Sequence, residues 1–232
     1  MFNKASLKAK IIVFIVISLV VLGVAAKAGS KTRQETGSAK SQQNISAAQP
    51  QTETQAPSEA ELTKQKEEEK KKRLDEKYQQ AYAAFHSRKR IEAIQLADEI
   101  LKEDENYYKA YNIKGIAQCY SGQFKKGMEN IDKSIQLKPD FGYARFNKAL
   151  AYELNGQFDL ALKWYDNALQ VEDYVWSYYG KASIYGRRGD AGNTVKYLKK
   201  AIAMDSSVKD VAREEADFKP VRSSKEFQEL LK

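Results

Sequence analysis

Cysteine and histidine are nearly missing from this chain of 232 residues, which carries one of each, Cys119 and His86. A lone cysteine excludes an internal disulfide, and it leaves the compartment open, because a chain without disulfides suits a reducing cytosol and is tolerated outside it. A lone histidine excludes His-rich metal sites, and the carboxylates are spaced as solvated helix faces rather than as ligand clusters. Phosphate-cradling glycine loops are also missing, since the glycines fall at helix crossings and turns. His86 reads as a surface or packing residue and Cys119 as a small half-buried one with no histidine near it in sequence. No catalytic residue, cofactor or metal is therefore assigned, and the chain reads as a non-enzyme.

Charge is equally unhelpful to a nucleic-acid reading. Of the formal +8, residues 1–40 hold +6 (7 basic, 1 acidic), residues 41–77 hold −1 (7 and 8) and residues 78–232 hold +3 (25 and 22). A small excess spread over the larger part of the chain makes no basic stripe, so no nucleic-acid partner is expected.

The excess belongs to the amino-terminal end. Residues 1–10 form a basic tail with Lys4, Lys8 and Lys10, followed by Ile11 to Ala26, 16 residues without a charge. As a helix this run spans roughly 24 Å, short of the ~30 Å hydrocarbon core but within reach of it if the flanking lysines extend to the headgroups. Residues 11–28 are thus expected to be a transmembrane signal-anchor, giving a single-pass cell-membrane protein with its carboxy-terminal domain extracytoplasmic. Ala26-Lys27-Ala28 also fits a cleavage site, and the alternative is a secreted protein cut near Ala28. Residues 29–58, rich in Gln, Ser, Thr and Ala, cannot bury enough apolar surface to order themselves and read as a disordered linker. Residues 59–77 turn to Glu, Lys and Gln. Ser58 with Glu61 reads as a capping box, and Glu67/Lys71 and Glu68/Lys72 as i,i+4 pairs. Leu62 and Leu74 have no apolar residues between them at heptad spacing, so a solvated helix leading into the next region is expected rather than a coiled coil.

From Tyr108 to Met204 one pattern returns three times, about 34 residues apart. Tyr111-Asn112-Ile113-Lys114-Gly115, Phe146-Asn147-Lys148-Ala149 and Tyr179-Gly180-Lys181-Ala182 each open a unit. Gly122-Gln123-Phe124, Gly156-Gln157-Phe158 and Gly189-Asp190-Ala191 mark its middle turn, and Ser134-Ile135, Ala168-Leu169 and Ala201-Ile202 close it. Gly115, Ala149 and Ala182 stand where one helix of a pair crosses the other, faced by Gly127, Ala161 and Thr194, and Ile131, Tyr165 and Leu198 supply apolar knobs. A stack in which each pair covers the next follows from the exposed apolar faces. The pattern resembles the tetratricopeptide repeat family, of a membrane-anchored bacterial type. The resemblance implies an all-α, right-handed α-solenoid of helix hairpins: a degenerate unit at 74–107, units at 108–141, 142–174 and 175–206, and capping helices at 207–232. Lys114, Lys148 and Lys181 depart from the family's usual leucine. The tail from Asp217 to Leu231 resembles a closing segment found after bacterial arrays, with Phe218, Val221, Phe227 and Leu230 expected inside.

In that family the first helix of each unit lines a concave groove. Carried over, the lining is Lys109, Asn112, Ile113, Ile116 and Cys119, then Tyr143, Phe146, Asn147, Leu150 and Glu153, then Trp176, Tyr179 and Ser183. The resemblance implies a protein or peptide partner, held by aromatics and amides. Of the residues with which chaperone-binding members clamp a terminal carboxylate, only Asn147 matches, so that specialised use is not expected. Binding of an envelope polymer, a glycan or an anionic chain, is the alternative.

Overall fold

The computed structural model describes residues 58–232, and every regular element among them is helical. Helix α1 spans Glu59–His86. Its start is fixed by a complete capping box, in which the Glu61 amide donates to Ser58 Oγ and the Ser58 amide to the Glu61 carboxylate at 2.7 Å. The first half of α1 is exposed and Leu74 is its first buried residue, so only the second half packs. No helix among the described residues is long and apolar enough to cross a membrane. The expected tail, membrane segment and linker, up to residue 57, lie outside the described residues.

The remaining helices alternate in short antiparallel pairs. They are α2 (Arg90–Glu103), α3 (Tyr108–Tyr120), α4 (Phe124–Leu137), α5 (Gly142–Leu154), α6 (Phe158–Leu169), α7 (Val175–Arg187) and α8 (Ala191–Met204). Each pair turns on a left-handed residue: Gly122, Gly156 and Gly189 have φ of +81°, +76° and +74°. Between α1 and α2, where no glycine stands, Arg88 takes the same conformation at φ +65°.

Small residues let the helices touch. A methyl group on Gly115 would lie 2.6 Å from the Gly127 carbonyl oxygen and 2.7 Å from Ile131 Cγ1, and one on Gly127 would collide with Cys119 Sγ. Ala149 and Ala161, Ala182 and Thr194, and Ala81 and Ala93 fill the same facing positions and are fully buried. Ile100, Ile131, Tyr165 and Leu198 key into the crossings, and Ser134, near the end of α4, ties it to α3 by donating to the Tyr108 carbonyl at 2.8 Å. Alongside the pairing, the first helices pack on one another in sequence, α1 on α3, α3 on α5 and α5 on α7.

The lysines that replace the family's leucine bind the units together. Lys114 Nζ meets Asp98 of α2 at 2.6 Å, Lys148 meets Asp132 of α4, and Lys181 meets Asp166 of α6. Each reaches back to the second helix of the preceding unit. In the last two the ammonium also sits over a ring of its own unit, Trp164 at 4.0 Å and Tyr197 at 4.1 Å. Burial pulls the Lys181 pKa down, but hydrogen bonds to Asp166 and Tyr197 outweigh it and leave the group above its ordinary value.

Helix α9 (Val208–Glu214), a 3-10 turn (Ala216–Val221) and α10 (Lys225–Leu230) close the array. Phe218, Val221 and Phe227 are buried as expected, but Leu231 takes the inward position and Leu230 stays half-exposed. Phe218 packs against Gly186 so tightly that a methyl there would lie 2.6 Å from its ring.

Candidate protein-binding groove

The inner face is built from the exposed flanks of α1, α3, α5 and α7, and their lateral packing changes what that face presents. Ile113 and Ile116, carried over as lining residues, are fully enclosed within the core. Lys109 is half-exposed but held at the α1 seam, 3.1 Å from Asp75 and over the Tyr78 ring at 5.5 Å. Cys119 is buried behind Gly127 and donates weakly to the Phe124 carbonyl at 3.8 Å. Burial pushes its thiol up to about 12, so it is protonated and not nucleophilic at neutral pH.

Two amides meet across the seam between units. Asn147 Nδ2 donates to Asn112 Oδ1 at 3.1 Å. Both side chains are buried, and Asn112 Nδ2 itself finds no acceptor. An unsatisfied buried amide costs about 1–3 kcal/mol.

Beside these amides the rings gather. Tyr143 is stacked with Phe146 at 6.0 Å and 14°, and Phe146 takes the edge of Tyr174 at 4.9 Å and lies 5.8 Å from Tyr165. Tyr82 of α1 lies 6.3 Å from Tyr143 and 4.2 Å from His86. A recess opens here, lined by Phe85, His86, Arg90, Tyr120, Tyr143, Phe146, Asn147 and Leu150. Burial lowers the His86 pKa to about 4, which keeps the imidazole neutral at pH 7. Farther along, Trp176 meets the edge of Tyr179 at 5.4 Å, and Tyr179 the edge of Phe218 at 5.7 Å. Most of these rings are therefore as much part of the unit-to-unit packing as of a surface: Phe146, Trp176 and Tyr179 are 3%, 5% and 1% exposed, and Tyr143 is the half-open one.

The far end of the face is polar. Glu153 accepts from Tyr165 Oη at 2.7 Å and stands 3.7 Å from Arg187, which meets Asp217 at 2.8 Å. Ser183 donates to the same Asp217 carboxylate, and Tyr179 Oη donates to Glu215 at 3.5 Å. Glu153, Glu215 and Asp217 are all buried. Glu153 and Ser183 were among the positions carried over from the resemblance. Glu215 and Asp217 were not, because they arrive from the closing segment, more than 30 residues beyond their partners on α7. Among the described residues no group of His, Cys, Asp or Glu is arranged to hold a metal ion.

A stack of helix hairpins with an inner face of rings and amides defines a solenoid scaffold, a class that is generally non-catalytic. The tetratricopeptide repeat model matches residues 143–173 and 177–207. An uncharacterized protein of Methanocaldococcus jannaschii is 36% identical over 78 residues, covering 34% of this chain and 86% of that one. A TPR repeat-containing protein of the same organism is 26% identical over 120 residues, 48% of this chain and 20% of that longer protein. Among solved structures, a thermophilic TPR protein of Thermus thermophilus superposes with a TM-score of 0.56 at 16% identity, covering 62% of this chain and 80% of that one. The chain thus carries tetratricopeptide repeats, at residues 143–173 and 177–207, within a fold like that of solved proteins of the family.

Proposed function

We propose that this chain is a membrane-tethered, non-catalytic interaction module that holds a peptide or helix of a partner protein against its inner face. The observation that carries the reading is the recess between α1 and α5, where the half-open Tyr143 ring stands beside Phe146, Leu150 and the Asn147 amide that line it. Domains of this family bind protein or peptide partners in general. An aromatic anchor bordering an apolar recess suits an extended or helical chain that offers a side chain to it. Residues 11–28 would hold the array at the cell membrane with the repeats on the extracytoplasmic side.

The test is a photo-crosslinker, p-benzoylphenylalanine, in place of Tyr143 in the full chain, irradiated in native membranes. An adduct with a second protein, absent when the probe replaces Gln136 on the outer face, supports the reading. Equal adducts from both positions, or none from Tyr143, overturn it.

A further inference from the structure

We propose that the hairpin-turn edge of the first two units is a second contact surface of the molecule, one that rests on a bilayer of anionic phospholipid. It lies apart from the inner face and goes beyond the partner binding proposed for that face.

The fold sorts charge that the sequence leaves mixed. Because the helices alternate in direction, the hairpin turns come to one edge of the array and the connections between units to the other. Those connections, residues 104–107, 138–141, 170–174 and 205–207, hold six carboxylates and one lysine, Lys138, which is itself paired with Asp140 at 2.9 Å. On the turn edge, residues 87–92 and 121–126 hold five cations, Arg88, Lys89, Arg90, Lys125 and Lys126, and one carboxylate, Glu92. The two turns are neighbours: Arg90 lies over the Tyr120 ring at 5.4 Å, and Ser121 lines a shallow hollow together with residues 88–92. Arg90 is half-exposed and the other four cations are exposed. Glu92 meets Lys89 at 3.2 Å, but both side chains are half or more exposed, so the pair neutralises little. Among the described residues Lys125 and Lys126 have no carboxylate within ion-pair distance. Farther along the same edge the pattern ends, since Arg188 is met by Asp159 at 2.7 Å and Arg187 by Asp217 at 2.8 Å.

Among these cations stands Ile91, 74% exposed and the most exposed large apolar side chain among the described residues. Its presence decides between partners for a basic edge. A phosphate backbone offers nothing to an isoleucine, whereas a bilayer surface takes the cations at its headgroups and the apolar side chain between them. Two successive turns, about 10 Å apart, present the set on one side. The acidic edge is repelled by the same surface, so the field of the whole array turns the hairpins toward the bilayer. The helices then stand upright on the membrane, and the inner face, which runs along their axes, opens sideways.

The test places an environment-sensitive fluorophore, nitrobenzoxadiazole, on Ile91→Cys or on Glu105→Cys of the opposite edge, in the full chain. Both positions are exposed, and the native thiol, buried at Cys119, stays unlabelled. With vesicles of phosphatidylcholine and phosphatidylglycerol the emission of the probe at 91 is expected to shift to the blue, while the probe at 105 stays as in water. Vesicles of phosphatidylcholine alone should shift neither. Each cation is worth about fivefold at an anionic surface, so Lys125→Glu with Lys126→Glu should weaken the contact about twentyfold or more and remove the shift. Added salt should reverse it as well. No shift at 91 with the anionic vesicles overturns the proposal. An equal shift at both edges, or an equal shift without phosphatidylglycerol, does so too, because either reports proximity without a charged contact. The same shift from duplex DNA or polyglutamate, with no vesicles present, assigns the edge to soluble polyanions and also overturns it. This readout needs no protein partner and leaves Tyr143 untouched, so it and the crosslinking result stand or fall separately.

Discussion

The Lys181 to Asp166 contact gives the sharpest quantitative test of how the units hold together. The Lys181 side chain is 5% exposed, against 11% for Lys148 and 22% for Lys114, while the aspartates opposite them are about half-exposed at 56%, 52% and 44%. Lys181→Met keeps the stem and most of the volume and removes only the charge. What is lost is an ion pair with one enclosed partner, about 1 kcal/mol, and a cation over the Tyr197 ring, about 0.5–1 kcal/mol. Relief of burying the ammonium returns part of that. The net loss should be about 1 kcal/mol, a fall in Tm of roughly 2–4 °C for an array of this size. A double-mutant cycle with Asp166→Asn should give a coupling of about 1 kcal/mol. Because the Lys181 pKa is raised, this contribution is present throughout the range below the ordinary lysine value and is lost only as pH rises through the higher folded one. It should therefore be undiminished at pH 7. Urea unfolding of the three Lys→Met variants should rank Lys181 above Lys148 above Lys114. A coupling below about 0.3 kcal/mol, or the largest loss at Lys114, would refute the account of burial as the deciding term.

Three further outcomes are expected. Gly115→Ala forces the Gly127 backbone and Ile131 apart and should cost about 1–3 kcal/mol in urea unfolding; an unchanged midpoint would show that the crossing is looser than described. Arg88→Gly should instead raise stability by about 0.5–1 kcal/mol, since a side chain at φ +65° carries a strain that glycine does not. His86 has a folded pKa of about 4, below its ordinary 6.5, so the unfolded chain binds the extra proton and stability should fall as pH drops from about 6.5 to 4. Compared with His86→Gln, that part of the fall should amount to about 2 kcal/mol, and identical pH profiles would show that the imidazole is not sequestered.

The hairpin stack was legible because its determinants are local and periodic: a left-handed glycine at three of the four hairpin turns, and Gly115, Ala149 and Ala182 with their facing partners across the crossings. The lysine contacts were visible only by half. Lys114, Lys148 and Lys181 stood out as departures, while Asp98, Asp132 and Asp166 recur at the same interval and were the overlooked signal. Inner-face exposure was the least legible, since it depends on how closely neighbouring first helices approach. That is why Ile113 and Ile116 are core, and why Phe146, Trp176 and Tyr179 serve packing as well as surface. The acidic end escaped altogether, its carboxylates being brought to α7 by the closing segment.

The lysine clasp also bears on how such a chain lengthens. Each clasp is shared across a seam, its cation supplied by the later unit and its anion by the earlier. A tandem copy of one cassette of about 34 residues, inserted in frame, would thus arrive with half a clasp for each neighbour and complete both on docking. Lineages carrying this device can gain or shed a hairpin without inventing a new seam.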